Sequence, residues 1–90
     1  MNEMDLNDEI QNAIKSKRVV IGFRGSIKAV KTGSPKIVVI ASNLPPEMKK
    51  EIESGLKSEK TRLEIFNGSS RDLGVLCGKP FPVAALAITG

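Results

Sequence analysis

The residues best suited to chemistry in this sequence lie in a strand–turn–helix junction that runs from Arg18 to Lys31. An apolar β-branched run precedes Gly22, and apolar residues at helical spacing follow Gly25. Such a junction favours anions, because the first N–H groups of a helix lack intrahelical partners and the helix dipole adds positive charge there. It also carries cations and a hydroxyl at or beside the predicted N-cap: Arg24, Lys28, Lys31 and Ser26. The junction predicts a phosphate-binding site, with a solvated connecting turn as the alternative.

The second candidate is a loop in which Phe81 stands between Pro80 and Pro82 and close to Lys79. Prolines restrict the backbone, so the ring is held ready to stack on an unpaired base at small entropic cost. In the alternative interpretation, Phe81 plugs one end of the core. Asn43 also has two interpretations: its side chain either caps the third predicted helix or reads the edge of a base.

The composition is that of one folded domain, residues 1–90, with 40% hydrophobic and 27% charged residues and a net charge of +4. This basic excess indicates an acidic partner such as nucleic acid. The sequence has no histidine, so the commonest general base and metal ligand are missing, and we expect no enzyme and no metal. Its glycine motifs at 22–25 and 74–79 match neither a dinucleotide site nor a P-loop, so we expect no cofactor. A lone cysteine and the lack of an export signal or long apolar run predict a cytoplasmic protein with no membrane segment.

Hydrophobic periodicity predicts that helices and strands alternate along the chain and position these residues. The predicted strands are 19–22, 36–41, 62–66 and 83–88. The predicted helices begin at Asp5, at Gly25 or Ser26, at the Pro45-Pro46 pair and at Ser70. The run 36–41 is apolar throughout, which is typical of a central strand covered on both faces. This alternation predicts a three-layer α/β/α sandwich around a four-stranded mixed sheet.

Four stretches of the sequence are informative together: Gly22–Lys28, Lys36–Ala41 with Asn43 and Pro45, Asp72–Gly74, and Gly78–Val83. In this order and spacing, they resemble the L30e family of archaeal and eukaryotic large-subunit ribosomal proteins. That family belongs to a wider group of kink-turn RNA-binding proteins. The resemblance covers nearly the whole chain. At Arg24 the family also uses lysine, which keeps the charge but changes the hydrogen-bond geometry.

The resemblance implies that loops at one end of the sheet grip the sharply bent internal loop of an RNA helix. The residues it assigns to RNA binding are Gly22, Arg24, Gly25, Ser26, Lys28, Asn43, Lys79, Phe81, Pro82 and Val83. By position, Gly22, Arg24, Ser26 and Lys28 would approach the RNA backbone at the bend, and Asn43 would contact a base there. Phe81 and Val83 would pack against an unstacked base, with Lys79 and Pro82 on either side.

These inferences predict a non-catalytic RNA-binding component of the large ribosomal subunit that is monomeric when free. Its expected partners are a kink-turn of ribosomal RNA and other ribosomal proteins. One alternative is a component of another kink-turn ribonucleoprotein, and a second is a small protein-interaction domain in which Phe81 contacts a protein. A third hypothesis, an enzyme that uses Glu47 or Glu51, has little support, because the sequence offers no nucleophile with an adjacent base.

Overall fold

The computed structural model describes residues 6–33, 35–56 and 61–89, and helices alternate with strands along them as predicted. The helices are α1 Leu6–Lys15, α2 Phe23–Thr32, α3 Pro46–Gly55 and α4 Ser70–Leu76. The strands are β1 Val19–Ile21, β2 Ile37–Ala41, β3 Arg62–Phe66 and β4 Ala85–Ile88. The predicted helix start at Asp5 lies outside the described residues. None of the helices described is long and apolar enough to cross a membrane.

The four strands form one mixed sheet in the order β1-β4-β2-β3. Strand β4 is antiparallel to both of its neighbours, whereas β2 and β3 are parallel. Ile40, one residue before the end of β2, pairs with Ala85 at the start of β4. The last residues of β1, β2 and β3 therefore lie at the same end of the sheet as the first residue of β4. Every residue of β2 is buried, which confirms the prediction of a central strand.

Helices cover both faces of the sheet, and two separate hydrophobic clusters result. On one face, α1 contributes Ile10 and Ala13, and α4 contributes Leu73, with its C-cap residue Cys77 in the same cluster. On the other face, α2 contributes Val30 and α3 contributes Ile52. Alternate residues of β2 enter the two clusters, with Val39 on the first side and Val38 on the second. The predicted three-layer α/β/α sandwich is confirmed.

Helix α2 begins at Phe23, so the predicted start at Gly25 or Ser26 is wrong. The reason is the backbone of Gly22, which has φ of 110° and turns the chain sharply at the end of β1. The helix therefore starts without an intervening loop. Gly25 lies inside the first turn, where an added Cβ would be 2.7 Å from Cγ1 of Val20. A glycine at this position lets the helix approach the strand closely.

The start of α3 agrees with the prediction, and the start of β4 differs from it slightly. Helix α3 begins at Pro46, with Pro45 as its N-cap, as predicted from the pair of prolines. Strand β4 begins at Ala85, two residues later than predicted, because Val83 and Ala84 still belong to the loop that leads into the sheet.

Candidate nucleic-acid interface

Four loops meet at one end of the sheet, and backbone hydrogen bonds tie them together. The amide of Gly22, after β1, donates to the carbonyl oxygen of Ala85 at 2.8 Å. The amide of Ala41, at the end of β2, donates to the carbonyl oxygen of Ala84 at 2.9 Å. The turn before α2 and the end of β2 thus flank the strand that follows the Phe81 loop. The candidate residues of separate chain segments are brought to the same end of the molecule.

The start of α2 is a cationic helix end with no side-chain cap. Gly22 is the N-cap residue and has no side chain that could accept from the first turn. Arg24 and Lys28 are one helical turn apart, and both are exposed. Phe23, between them and the strand, is partly buried against the cluster under α2 and α3. The helix end therefore combines uncapped backbone donors with two exposed positive charges, which suits a phosphate.

Ser26 does not occupy the predicted position at or beside the N-cap. It lies one turn inside α2 and is fully buried. Its Oγ donates to the carbonyl oxygen of Gly22 at 2.8 Å, and its amide donates to the same oxygen at 3.0 Å. The hydroxyl therefore closes the first turn of the helix and does not face solvent.

Asn43 joins two loops of this end of the sheet. Its side-chain Oδ1 accepts a hydrogen bond from the backbone amide of Ser70 at 3.0 Å, at the start of α4. The preceding residue, Ser42, donates from both its amide and its hydroxyl to the carbonyl oxygen of Gly68. The prediction that Asn43 caps the third helix is wrong, since Pro45 is the N-cap of α3. Asn43 is exposed and fixes the loop after β2 to the loop after β3.

The loop that carries Phe81 is packed directly on α4. At Gly74, an added Cβ would overlap the carbonyl oxygen of Phe81 and lie 3.3 Å from Cα of Pro82. The amide of Lys79 donates to the carbonyl oxygen of Gly74 at 2.9 Å, which holds the other end of the loop against the helix. Phe81 is 53% exposed, so it does not plug the core. The absence of a side chain at Gly74 thus makes room for the loop that presents the ring.

The burial of Val83 conflicts with its predicted role in packing against a base. This residue is 1% exposed and belongs to the core cluster under α1 and α4. Its amide donates to the carbonyl oxygen of Ser70 at 2.9 Å. In this conformation, its side chain cannot pack against a base. It anchors the end of the loop, while Lys79 and Pro82 remain exposed beside the ring.

Two residues that the sequence analysis did not single out line a pocket of about 290 Å³ beside Phe81. They are Arg71 and Val75, on the outer face of α4, and Val75 is 72% exposed. The signal in the sequence was their spacing of four residues, which places them on one face of a helix. Leu73 and Cys77 mark the opposite, buried face.

Cys77 is a core residue at the end of α4 and not a reactive thiol. It is 6% exposed. Burial raises the pKa of its thiol above the ordinary value, and the positive charge of Lys79 offsets part of that shift. The thiol therefore stays protonated near neutral pH.

Comparison with known proteins identifies the family. The model of the ribosomal protein L7Ae/L30e/S12e/Gadd45 family matches residues 4–90. The chain belongs to this family. Large ribosomal subunit protein eL30 of Methanocaldococcus jannaschii is 38% identical over 85 residues, which are 94% of this chain and 77% of that protein. The eL30 of Candida albicans is 36% identical over 87 residues, which are 97% of this chain and 82% of that protein. The resemblance to the L30e family is confirmed.

Solved structures extend this L7Ae-type fold to more distant proteins. A protein of unknown function from Bacillus halodurans has a TM-score of 0.81 at 19% identity, over 98% of this chain and 87% of that one. A 15.5 kD RNA-binding protein from Giardia lamblia has a TM-score of 0.79 at 21% identity, over 100% of this chain and 78% of that one. Both share the architecture described above.

Proposed function

We propose that this chain is an RNA-binding structural component of the large ribosomal subunit that recognises a kink-turn in ribosomal RNA. The convergence of the α2 N-terminus, Asn43 and Phe81 at one end of the sheet is the observation that supports this function most directly. Its membership of the family and its eL30 relatives, which are large-subunit proteins, support the ribosomal role. The partners would be ribosomal RNA and other proteins of the cytoplasmic ribosome, and the free protein would be a monomer.

In this proposal, the start of α2 binds the phosphates that crowd together where an RNA backbone bends sharply. The uncapped N–H groups would donate to phosphate oxygens, as at other helix N-termini. Arg24 supplies a planar guanidinium that can bind one phosphate through two hydrogen bonds, whereas Lys28 acts as a point charge one turn away. Gly22 and Gly25 contribute by shape, because they allow the tight turn and the close approach of helix to strand.

The bases at the bend would be recognised by groups on the other loops. The exposed ring of Phe81 offers an apolar face for stacking on an unpaired base, with Lys79 and Pro82 beside it. Asn43 already uses Oδ1 within the protein, so its NH₂ group is the part left to donate to a base edge. We assign Val83 and Ser26 positioning roles, since both side chains are buried.

The test is a titration of a labelled kink-turn RNA and of a matched duplex whose internal loop is replaced by base pairs. The variants are Arg24→Ala, Lys28→Ala and Phe81→Ala, and Lys36→Ala, exposed at the opposite end of the sheet, is the control. Stacking is worth about 1–3 kcal/mol, so Phe81→Ala should weaken binding about tenfold or more. Arg24→Ala and Lys28→Ala should each weaken binding and flatten its salt dependence, because fewer counterions are released.

Two results would count against this function, and they differ in what they refute. Equal affinity of the wild-type protein for the kink-turn and the matched duplex would refute kink-turn recognition. Normal kink-turn affinity in all three variants would refute the assignment of the site while leaving recognition itself intact. Lys36→Ala should bind both RNAs as the wild type does.

A further inference from the structure

The outer face of α4 carries an apolar and cationic surface to which neither the sequence analysis nor the proposed function gives a role. Val75 is a large apolar side chain that is 72% exposed on a helix whose other side is in the core. Arg71 lies one turn earlier on the same face and is also exposed. Lys79 follows the helix and lies next to the same surface.

These residues enclose a pocket of about 290 Å³ together with the Phe81 loop. The complete lining is Arg71, Val75, Lys79, Pro80, Phe81 and Pro82. It contains two cations, two exposed apolar side chains and two prolines, and no carboxylate. Its walls are held in place, since the loop packs on Gly74 at one end and Val83 bonds to Ser70 at the other. An occupant of this partly open pocket would therefore contact two apolar side chains and two cations.

We propose that this pocket binds a second unpaired nucleotide of the bound RNA, next to the one that stacks on Phe81. The inference rests on the proposed function and extends its site along α4. A nucleotide matches the lining because its base has flat apolar faces and its phosphate is an anion. Val75 offers the base an apolar contact, Arg71 binds the base edge or the phosphate through its planar guanidinium, and Phe81 contacts both nucleotides.

An acidic peptide with an apolar side chain would satisfy the same lining, but position favours RNA. The pocket shares Phe81 and Lys79 with the end of the sheet at which the uncapped α2 N-terminus lies. An RNA strand whose unpaired base stacks on Phe81 and which continues along α4 would place its next nucleotide in the pocket. Arg71 and Val75 would then determine which unpaired nucleotide is tolerated beside the kink.

The experiment is a set of double-mutant cycles between protein and RNA. The full chain and its variants Val75→Ala and Arg71→Ala are titrated against kink-turn RNAs that each carry one abasic nucleotide in the internal loop. Alanine favours a helix more than valine does, so Val75→Ala should fold normally. We expect one abasic position to weaken wild-type binding about fivefold or more and to have little further effect in either variant. Arg71→Lys should recover only part of the loss, because lysine keeps the charge but not the planar guanidinium.

Three outcomes would overturn this inference. Wild-type affinity of both variants for every RNA would show that the pocket is outside the interface. Losses that add independently at every abasic position would show a general charge effect and no bound nucleotide. The third outcome is a labelled glutamate-phenylalanine peptide that binds the wild type but not Arg71→Ala, while neither variant changes the effect of any abasic position. That result would assign the pocket to a protein. If the proposed function itself failed, the wild-type chain would already bind the kink-turn no better than the matched duplex.

Discussion

Gly74→Ala is the substitution for which helix propensity and the tertiary structure predict opposite results. Gly74 lies inside α4, where replacing glycine with alanine normally stabilises a helix by about 0.5–1 kcal/mol. Here, the new methyl group would overlap the carbonyl oxygen of Phe81 and lie 3.2 Å from the carbonyl carbon of the same residue. Both atoms are backbone, so no side-chain rotation relieves the overlap. Overpacking of this kind costs about 1–3 kcal/mol.

The net expectation is a loss of about 1–2 kcal/mol in the free energy of unfolding, together with displacement of the Phe81 loop. Urea denaturation followed by far-ultraviolet circular dichroism measures the first effect, and titration of labelled kink-turn RNA measures the second. Gly33→Ala is the control, because its Cβ would meet only the carbonyl oxygen of Ala29, at 3.7 Å, which is an ordinary van der Waals contact. A Gly74→Ala variant that is more stable than the wild type and binds RNA equally well would refute the role given to this glycine.

Three further predictions concern stability. Ser69→Ala removes the capping box of α4, in which Ser69 and Asp72 bond to each other's backbone amides, and should cost about 1 kcal/mol in urea denaturation. Gly22→Ala places a side chain at φ of 110° and should cost about 1–3 kcal/mol by the same assay, so an unchanged stability would contradict the strain. The raised pKa of Cys77 keeps its proton in the folded state after the unfolded thiol, with its ordinary pKa of 9.0, has lost it. The stability advantage of the wild type over Cys77→Ala should therefore be full below pH 9.0 and shrink as the pH rises above it, and a constant difference would contradict the shift.

The architecture could be predicted from the sequence because its signals are local. The apolar run of β2 identified a strand covered on both faces, and Pro46 identified the start of α3. A helix start that depends on one special backbone angle was harder to predict from the sequence. Gly22 could have belonged to a loop of several residues, and only its observed φ explains why α2 begins at Phe23.

The chemistry of individual site residues was less predictable, since burial and hydrogen-bond partners come from distant parts of the chain. Ser26 looks like a helix cap in the sequence, yet it is enclosed beneath the first turn of α2. Asn43 and Ser70 are 27 residues apart, and no local pattern indicates their hydrogen bond. Arg71 and Val75 form a pocket only because the separate Phe81 loop packs beside them, and the sequence of α4 alone does not indicate it.

The sequence by itself determined the class of fold, because periodicity, turn residues and composition are properties of neighbouring residues, and the resemblance of four stretches indicated the family. The tertiary structure decided which of these groups reach the surface. The antiparallel register of β4 brings the Phe81 loop to the same end of the sheet as the start of α2, and the missing side chain of Gly74 lets that loop pack on α4. Both depend on contacts between residues far apart in the chain, so no inspection of either segment alone would have shown them.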